Sequence, residues 1–500
     1  MEKSIIIIGG GLAGLAAGCY GRMNGYRTSI YEMHNIAGGV CTGWKRKGYT
    51  IDGAMNTLTG TRSETGFYRF WEELGAAQQW DICYHDQYIL LENEEGKIFT
   101  MYCDIDRLER EMMEFAPEDE RVIQEVCKAI RDCKSIDMPV DKPQELYNVF
   151  DYIKMLKMLP TLRLMQKWNK ITSAEYNMRF KNPFMRKVFG IHPEAEMLEM
   201  PAIAIFSQLA WMNQRYVGYV IGGALALVDY IKQRYLDLGG ELNLKSKVEK
   251  VLVEDNKAVG VKLSDGTEHR GDIVISAADG HATIYDMLDG KYINDEIRGY
   301  YENLPLREPL VYIGLGITRK FDDIPSTTEG LHFPLKEPVV VAGKEHKTLG
   351  VQIFNFDPTM APEGKTVIRV YFITDYDYWE NLYQEPERYK AEKERIADEV
   401  VVRLNERFPG LANQVEMRDV STPMTWVRYT GNWRGAYEGW MMTPRTTMHQ
   451  WKKTLPGLDN FYMAGQWVVV GSMPTAVMSG RHTVQMICKK DKKKFVTSTP

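Results

Sequence analysis

The sequence predicts an α/β fold with more than one domain, and three observations support this prediction. Residues 5–32 read as a buried strand, a glycine-rich turn, a helix and a second strand, and a related pattern returns over 222–279. Between these stretches, residues 104–190 carry apolar residues at helical spacing, and residues 290–415 read as a mixed sheet with a covering helix. A chain of 500 residues is also longer than a single hydrophobic core usually supports.

The composition is that of a globular protein from a reducing compartment. Hydrophobic residues make up 44% of the chain and charged residues 26%, and 62 basic against 67 acidic residues give a formal charge of −5. A chain so close to neutral is not built as a general nucleic-acid binder. The seven cysteines are odd in number and include no CxxC pair, which argues against a disulfide scaffold or a metal site. No apolar run approaches the roughly 20 residues of a membrane span, so a cytoplasmic location is expected.

The glycine-rich turn near the N-terminus has the spacing of a dinucleotide-binding site. A strand over 5–8 leads into Gly9, Gly11 and Gly14, and the helix that follows ends at Asn24-Gly25. Gly9 permits the tight turn, Gly11 lets a pyrophosphate approach the backbone, and Gly14 lets the helix pack closely on the sheet. The free N–H groups at the helix start face the phosphates.

Glu32 follows the second strand, which is predicted over 28–31. A carboxylate at this place accepts hydrogen bonds from a ribose 2′-OH and repels a 2′-phosphate, so FAD or NAD is favoured over NADP. The predicted cofactor contacts in this part of the chain are Gly9, Gly11, Leu12, Ala13, Gly14, Glu32 and Met33.

A second glycine pair, Gly38-Gly39, favours FAD over NAD. With the loop 48–53 it resembles the second glycine pair of the two-domain flavoproteins, the family of amine oxidases and phytoene desaturases. In that family the pair lies near the pyrophosphate and the loop leads toward the flavin ring. In that family a basic residue usually follows the pair and contacts a phosphate. Here Val40 stands at that position, and Lys45 or Arg46 are candidates to supply the missing contact.

Residues 101–212 are predicted to form a helical region. The apolar residues of 104–115 recur at helical spacing, Pro117 opens a second helix, and Pro160 must break or kink the segment 144–170. Twelve of the 27 methionines lie in this region, which fits either a gap-filling core or a pliable wall for a long apolar ligand. The basic and apolar residues of 144–170 fit either a solvated helix face or a surface that lies on a membrane.

The nucleotide-binding pattern returns after Gly222-Gly223, with a periodic helix over 224–238. The strands predicted next are 248–253, 258–263 and 273–276. This order resembles the same flavoproteins, in which the residue at the Val248 position holds the adenine through its backbone. Further strands are predicted at 310–315, 350–355 and 367–374, and the turn 357–365 looks very like a signature of the phytoene-desaturase-like subfamily.

The C-terminal part is predicted to close the cofactor site. A short strand over 461–464 ends at Gly465-Gln466, and a helix begins near Pro474. The N-terminus of this helix would stabilise the negative charge that develops on a reduced flavin. The remaining predicted cofactor contacts are Gly38, Gly39, Val248, Gly465, Gln466, Pro474, Thr475 and Ala476.

Along nearly its whole length the chain resembles the phytoene desaturase, carotenoid isomerase and retinol saturase family of FAD-dependent oxidoreductases, within the amine-oxidase-type flavoproteins. The resemblance implies an α/β fold with a Rossmann-like FAD-binding domain of the two-dinucleotide-fold flavoprotein type, a mixed-sheet substrate domain and a helical cap. The implied segments are 1–100, 213–290 and 416–488 for FAD binding, 101–212 for the cap, 291–415 for the substrate domain and 489–500 for a basic tail.

The function implied by this resemblance is desaturation or saturation of C–C bonds in an apolar polyene, isoprenoid or lipid, by hydride transfer with flavin N5. A redox-neutral polyene isomerase that uses reduced FAD, an amine-oxidase-like oxidation of C–N bonds and a flavin-binding protein without catalysis stay open as alternatives. Because only one dinucleotide fingerprint is present, a diffusing electron acceptor or donor such as quinone, oxygen or NAD(P)H is expected. The basic stretches 144–170 and 489–494 predict peripheral contact with the inner face of a membrane.

No catalytic residue stands out in the sequence, and no motif for a metal or a nucleophile is present. His192 and His281 are candidates on loops, although a structural role is the simpler interpretation. The aromatic and basic stretch 426–440 could wall a flat conjugated substrate or could belong to the core. Its prominent residues are Trp426, Arg428, Tyr429, Trp433, Arg434, Tyr437 and Trp440.

Overall fold

The structure is a computed structural model that describes residues 2–137, 139–189, 191–192, 195–196, 199–447, 449 and 451–500. Of residues 191–192 and 195–196 only the backbone is described, and it forms a two-stranded antiparallel hairpin. Two large sheets with helices packed around them make up the chain, which confirms the predicted α/β class.

A five-stranded parallel sheet carries the glycine-rich turn. In spatial order its strands are Glu241–Asn243, Arg27–Tyr31, Ser4–Ile8, Ile273–Ser276 and Phe461–Met463. The isoleucines of Ser4–Ile8 are buried on both faces of this sheet, which is why that strand is continuously apolar. Helix Leu12–Met23 follows, and it ends at the Asn24 cap before Gly25, whose φ is +70°. The predicted strand, helix and second strand are thus confirmed.

An antiparallel meander lies beside the parallel sheet. Its strands are Val248–Glu254, Lys257–Leu263 and Glu268–Arg270. The first two confirm the prediction, whereas the third was not predicted, because three polar residues carry no apolar pattern. The strand predicted at 273–276 belongs to the parallel sheet, where Ile5 pairs with Ile273.

A seven-stranded sheet forms the other large layer. In spatial order its strands are Val415–Ser421, Leu310–Ile317, Thr366–Ile373, Lys344–Ile353, Leu331–Val341, Gln87–Glu92 and Ile98–Tyr102. Leu331–Val341 runs parallel to Gln87–Glu92, and the other neighbours are antiparallel. The mixed sheet is confirmed, but residues 87–102 and 415–421 join it, although the predicted boundaries at 100 and 415 assign most of them to the nucleotide-binding part. The division into domains stays a prediction.

The remaining elements are helices and short strands. Helices lie at Tyr68–Glu73, Ile105–Phe115, Glu120–Cys133, Val149–Lys157, Leu159–Asn169, Ser173–Asn177, Met185–Val188, Ala202–Asn213, Gly223–Asp237, Asp295–Asn303, Tyr376–Tyr383, Pro386–Arg407, Pro423–Thr430, Pro444–Thr447 and Met473–Lys490. Short strands lie at Gly43–Arg46, Tyr49–Asp52, Leu58–Thr59, Ile82–Cys83 and Val217–Val220.

Local sequence signals explain the helical region. Asp104 caps the helix Ile105–Phe115 by accepting a hydrogen bond from the Arg107 N–H at 2.8 Å. Pro117 opens a short 3₁₀ turn, and the α-helix begins three residues later. The break predicted at Pro160 falls at Met158, which leaves Pro160 in the first turn of the next helix.

The predicted basic tail packs against the nucleotide-binding sheet region instead of extending into solvent. The Val496 N–H donates to Asn24 Oδ1 at 2.8 Å, and Lys493 Nζ lies 4.1 Å from the centre of the Tyr26 ring. Lys490 contacts Asp459 at 3.5 Å. Two cations of this stretch, Lys490 and Lys493, are therefore already engaged with the protein.

Candidate functional site

A cavity of about 1800 Å³ runs from the glycine-rich turn into the helical region. Fourteen of the fifteen predicted cofactor contacts line it, which are Gly9, Gly11, Leu12, Ala13, Glu32, Met33, Gly38, Gly39, Val248, Gly465, Gln466, Pro474, Thr475 and Ala476. Gly14 lies behind the wall, where a Cβ would stand 2.0 Å from the carbonyl oxygen of Gly9. Segments far apart in the chain thus meet at one site, while their roles in binding a cofactor stay predictions.

The glycine-rich turn 9–11 and the pair Gly38-Gly39 lie against each other and form one surface, called here the cradle. The Gly38 N–H donates to the Gly10 carbonyl at 2.9 Å, and Gly11 has extended backbone with φ −71°. A Cβ built on Gly11 would meet only Gly38 O at 3.7 Å and Gly39 Cα at 3.9 Å, which are ordinary contacts. The protein itself therefore has room for a side chain there, and the open space in front of the Gly11 backbone fits an approaching pyrophosphate.

Glu32 is buried and oriented at the edge of this cradle. Its Oε2 accepts a hydrogen bond from the Gly10 N–H at 2.6 Å and its Oε1 accepts one from the His34 N–H at 2.8 Å. Burial raises the pKa of the Glu32 carboxyl above its usual value. The carboxylate is thus fixed at the place where a ribose hydroxyl is predicted to bind.

Replacement of Glu32 by alanine is expected to weaken FAD binding by about 1–3 kcal/mol, because a hydrogen bond to a charged group is lost. Titration of the full-length chain with FAD, followed by quenching of flavin fluorescence, measures this change. Glu241→Ala is the matched control, since Glu241 is exposed and contacts Ser29 outside the cavity. An affinity equal to that of the unaltered chain would show that Glu32 does not hold the ribose.

The loop 53–57 faces the cavity and is fixed by buried charge. Asp52 Oδ1 accepts hydrogen bonds from the N–H groups of Ala54 at 2.9 Å and Met55 at 2.8 Å. Arg369 is fully buried in the large sheet and donates to the carbonyls of Asp52 and Met55, both at 3.2 Å. Burial raises the pKa of the Asp52 carboxyl, while the Arg369 guanidinium opposes that rise. Sequence reasoning missed Arg369, whose only signal is a charge within an apolar strand.

Asp279 joins the parallel sheet to the aromatic stretch 426–440. Its carboxylate accepts hydrogen bonds from the N–H groups of Ala282 at 2.8 Å and Trp433 at 2.9 Å. Burial raises the pKa of Asp279 to about 7. The His281 ring stacks on Trp433 with centroids 4.6 Å apart, so His281 is a packing residue. The side chain of His192 lies outside the described residues.

The stretch 426–440 is divided between the cavity and its surroundings. Trp426, Arg428, Tyr437 and Trp440 line the cavity, whereas Tyr429, Trp433 and Arg434 do not. Tyr429 is 40% exposed and Arg434 pairs with Asp377 at 2.8 Å, so neither belongs to a closed core, and a substrate wall formed by the four lining residues stays a prediction. Lys45 and Arg46 also lie outside the cavity lining, and Arg46 pairs with Asp419 at 3.0 Å. Neither therefore replaces the basic residue missing at Val40.

Part of the cavity lining, called here the apolar branch, consists of apolar residues, several of which are methionines of the region 101–212. Its lining includes Phe67, Met101, Ile136, Met155, Met165, Met200, Ile203, Trp211, Leu310 and Tyr371. Other methionines of the same region, such as Met112 and Met185, belong to the closed helical core. The methionines thus serve both as cavity wall and as gap-filling core.

The described part of the chain holds no cluster of three or more metal-ligating side chains. Among its helices none is long and apolar enough to cross a membrane.

Comparison with known proteins adds an independent line of evidence. A family model described as flavin containing amine oxidoreductase matches residues 12–488. A chloroplastic prolycopene isomerase of Arabidopsis thaliana is 24% identical over 86% of this chain and 73% of that protein. A neurosporene-forming phytoene desaturase of Rhodobacter capsulatus is 23% identical over 96% of this chain and 93% of that protein. An oxidoreductase structure from Methanosarcina mazei superposes with a TM-score of 0.61 at 15% identity, covering 96% of this chain and all of that one.

Proposed function

The chain belongs to the flavin containing amine oxidoreductase family, and from this premise we propose that it uses its FAD to desaturate or saturate C–C bonds of an apolar polyene, isoprenoid or lipid. The observation that carries the proposal is the continuity of one cavity from the glycine cradle to the apolar wall of the helical region. The named relatives that act on prolycopene and phytoene support a carotenoid-like substrate.

FAD, when bound, supplies the hydride-transfer chemistry. The residues of this chain have three other tasks. The cradle and Glu32 hold the dinucleotide, the loop 53–57 is held rigid against the cavity by Arg369, and the apolar branch orients the substrate chain and excludes water. Orientation of a hydrocarbon needs no proton donor or acceptor, so packing against the apolar lining accomplishes the third task.

Two alternatives predict different electron use. A redox-neutral isomerase needs reduced FAD but consumes no electrons, and the prolycopene isomerase relatives favour it as the second candidate. The description of the family model favours amine oxidation, whereas none of the comparisons reported above favours non-catalytic flavin binding. Electrons for the first candidate are exchanged with a diffusing partner such as quinone, oxygen or NAD(P)H.

Incubation of the purified holoenzyme with a total lipid extract, followed by mass spectrometry, tests the proposed reaction. We expect at least one polyene to change by two hydrogens, in the presence of an electron partner. Isomerisation without mass change, seen only after reduction of the flavin, would replace the proposal by the second candidate.

We also propose that the substrate enters from a membrane surface over helix Val149–Lys157. Three of its apolar side chains are largely exposed, Val149 at 72%, Phe150 at 75% and Leu156 at 62%. Tyr152 and Met155 of the same helix line the cavity, so this helix separates the cavity from its own exposed apolar face. Lys154 and Lys157 stand on this helix and would attract anionic headgroups, at roughly 1 kcal/mol for each cation near the surface.

Flotation with anionic vesicles measures this contact. The unaltered chain is expected to float at low salt, and Phe150→Glu with Leu156→Glu is expected to stay in the bottom fraction, because acidic residues would have to enter the apolar interface. Val402→Glu is the matched control, since Val402 is 51% exposed on the distant helix Pro386–Arg407. Equal flotation of the double variant and the unaltered chain would place the contact elsewhere.

A further inference from the structure

Most of the basic side chains that line the cavity, but not all, form ion pairs with acidic residues. Five of its seven lysine and arginine side chains have an acidic partner, in the pairs Lys142–Asp151, Lys250–Asp289, Arg307–Glu438, Lys452–Glu296 and Lys453–Glu145. Within the described residues, Lys247 and Arg428 line the cavity and form no ion pair. An anion bound in the cavity would therefore find these two cations available.

Both cations flank the loop 32–34, which carries Glu32. The segment before Lys247 runs along this loop, since the Lys245 N–H donates to the His34 carbonyl at 2.9 Å and the Ser246 N–H donates to the Glu32 carbonyl at 2.8 Å. The same loop also contacts the residue after Arg428, because the Tyr429 ring lies edge-on to His34 with centroids 4.8 Å apart. Two segments far apart in sequence thus contact the loop that carries Glu32, which itself joins the cradle through the Gly10 N–H at 2.6 Å, and the cation of each segment is exposed.

We infer that Arg428, assisted by Lys247, supplies the positive charge for the diphosphate of FAD that the chain lacks at Val40. Apart from Glu32, the predicted contacts at this end are glycines and the apolar residues Leu12, Ala13 and Met33, which offer backbone N–H groups but no charge. A guanidinium pairs with phosphate oxygens in a bidentate geometry, and a lysine acts as a point charge. Glu32 beside them disfavours the additional 2′-phosphate of NADP, which leaves the diphosphate as the anion that fits.

A purely structural role for Arg428 makes a different prediction. Arg428 lies in the last turn of helix Pro423–Thr430, where a cation also favours the helix C-terminus. That role would affect the stability of the helix but would not make FAD binding depend on salt. The salt dependence of FAD affinity therefore separates the two roles.

The test measures the dissociation constant of FAD for the full-length chain by flavin fluorescence, at low and high NaCl. We expect Arg428→Gln to weaken binding about tenfold at low salt, Lys247→Gln to weaken it less, and both to flatten the salt dependence. Arg428→Lys is expected to restore part of the affinity. Arg434→Gln is the matched control, because Arg434 pairs with Asp377 at 2.8 Å outside the cavity.

Unchanged affinity and an unchanged salt slope in both glutamine variants would overturn the inference. If Arg428→Gln does not fold, the result for Lys247→Gln decides. The inference rests on FAD as the cofactor but not on the proposed substrate, since no substrate enters this experiment. Its failure would thus leave the proposed reaction untouched, and a failed lipid screen would leave this inference untouched.

Discussion

Replacement of Gly11 by valine is expected to abolish FAD binding while the chain stays folded. The backbone of Gly11 is extended, and a Cβ there meets its protein neighbours only at 3.7 Å and beyond, so the fold tolerates a side chain. The same side chain fills the space through which a pyrophosphate reaches the backbone N–H groups. We expect a loss of affinity of at least about 100-fold, or about 2.8 kcal/mol. Flavin absorption of the purified protein measures the loss of FAD, and circular dichroism shows that the chain is still folded.

Two other glycines serve as controls for Gly11. Gly299 lies in helix Asp295–Asn303, where a Cβ meets only the Asn303 side chain at 3.7 Å, so Gly299→Val should keep its flavin. Gly14→Ala should fail to fold, because its Cβ would lie 2.0 Å from the Gly9 carbonyl oxygen. Full flavin content in the Gly11 variant would show that the cradle does not hold the pyrophosphate.

Replacement of Glu73 by alanine is expected to destabilise the chain by about 3–5 kcal/mol, since it leaves the buried Arg481 without its acidic partner. The side chains of Glu73 and Arg481 are each 3% exposed, and Arg481 Nε lies 3.2 Å from Glu73 Oε2. Tyr20 also donates to Glu73 Oε2, at 2.7 Å. Arg481 Nη1 in turn donates to the Asp141 carbonyl at 2.7 Å, which ties the segment around residue 141 to helix Met473–Lys490. Denaturant unfolding of the holoenzyme measures the loss.

A second variant distinguishes the two possible causes of this loss, which are an unpaired buried charge and lost packing. Glu73→Leu combined with Arg481→Leu removes both charges and should recover most of the stability, because no unpaired charge stays buried. Glu64→Ala breaks an exposed pair with Arg62 and should change the stability by less than about 1 kcal/mol. A double variant no more stable than Glu73→Ala would show that packing, not charge, dominates at this position.

The parts of the site that were predicted from the sequence are those encoded over a few neighbouring residues. The turn from Gly9 to Gly14, the Asn24 stop and the start of the C-terminal helix near Pro474 each carry a local signal, and the structure contains all three elements. Residues such as Glu32 and Gly465 could be predicted because their position after a strand end brings them to one edge of a parallel sheet.

The parts that were missed depend on contacts between distant segments. Arg369 meets Asp52 across more than 300 residues, and Asp279 meets Trp433 across 154. The strand Leu331–Val341 contains Pro334 and Pro338 and several charges, so its period is obscured in the sequence. Neither local propensity nor spacing reports which buried charges will become neighbours in the fold.

We propose above all that one cavity brings an apolar polyene to the FAD of this chain for electron exchange. An anaerobic titration of the holoenzyme with polyenes in vesicles, followed by the visible absorption of the flavin, tests it most directly. We expect that a substrate either bleaches the oxidised flavin or restores the colour of the pre-reduced flavin, with a product that differs by two hydrogens. A flavin whose absorption no polyene changes in either oxidation state would contradict the claim.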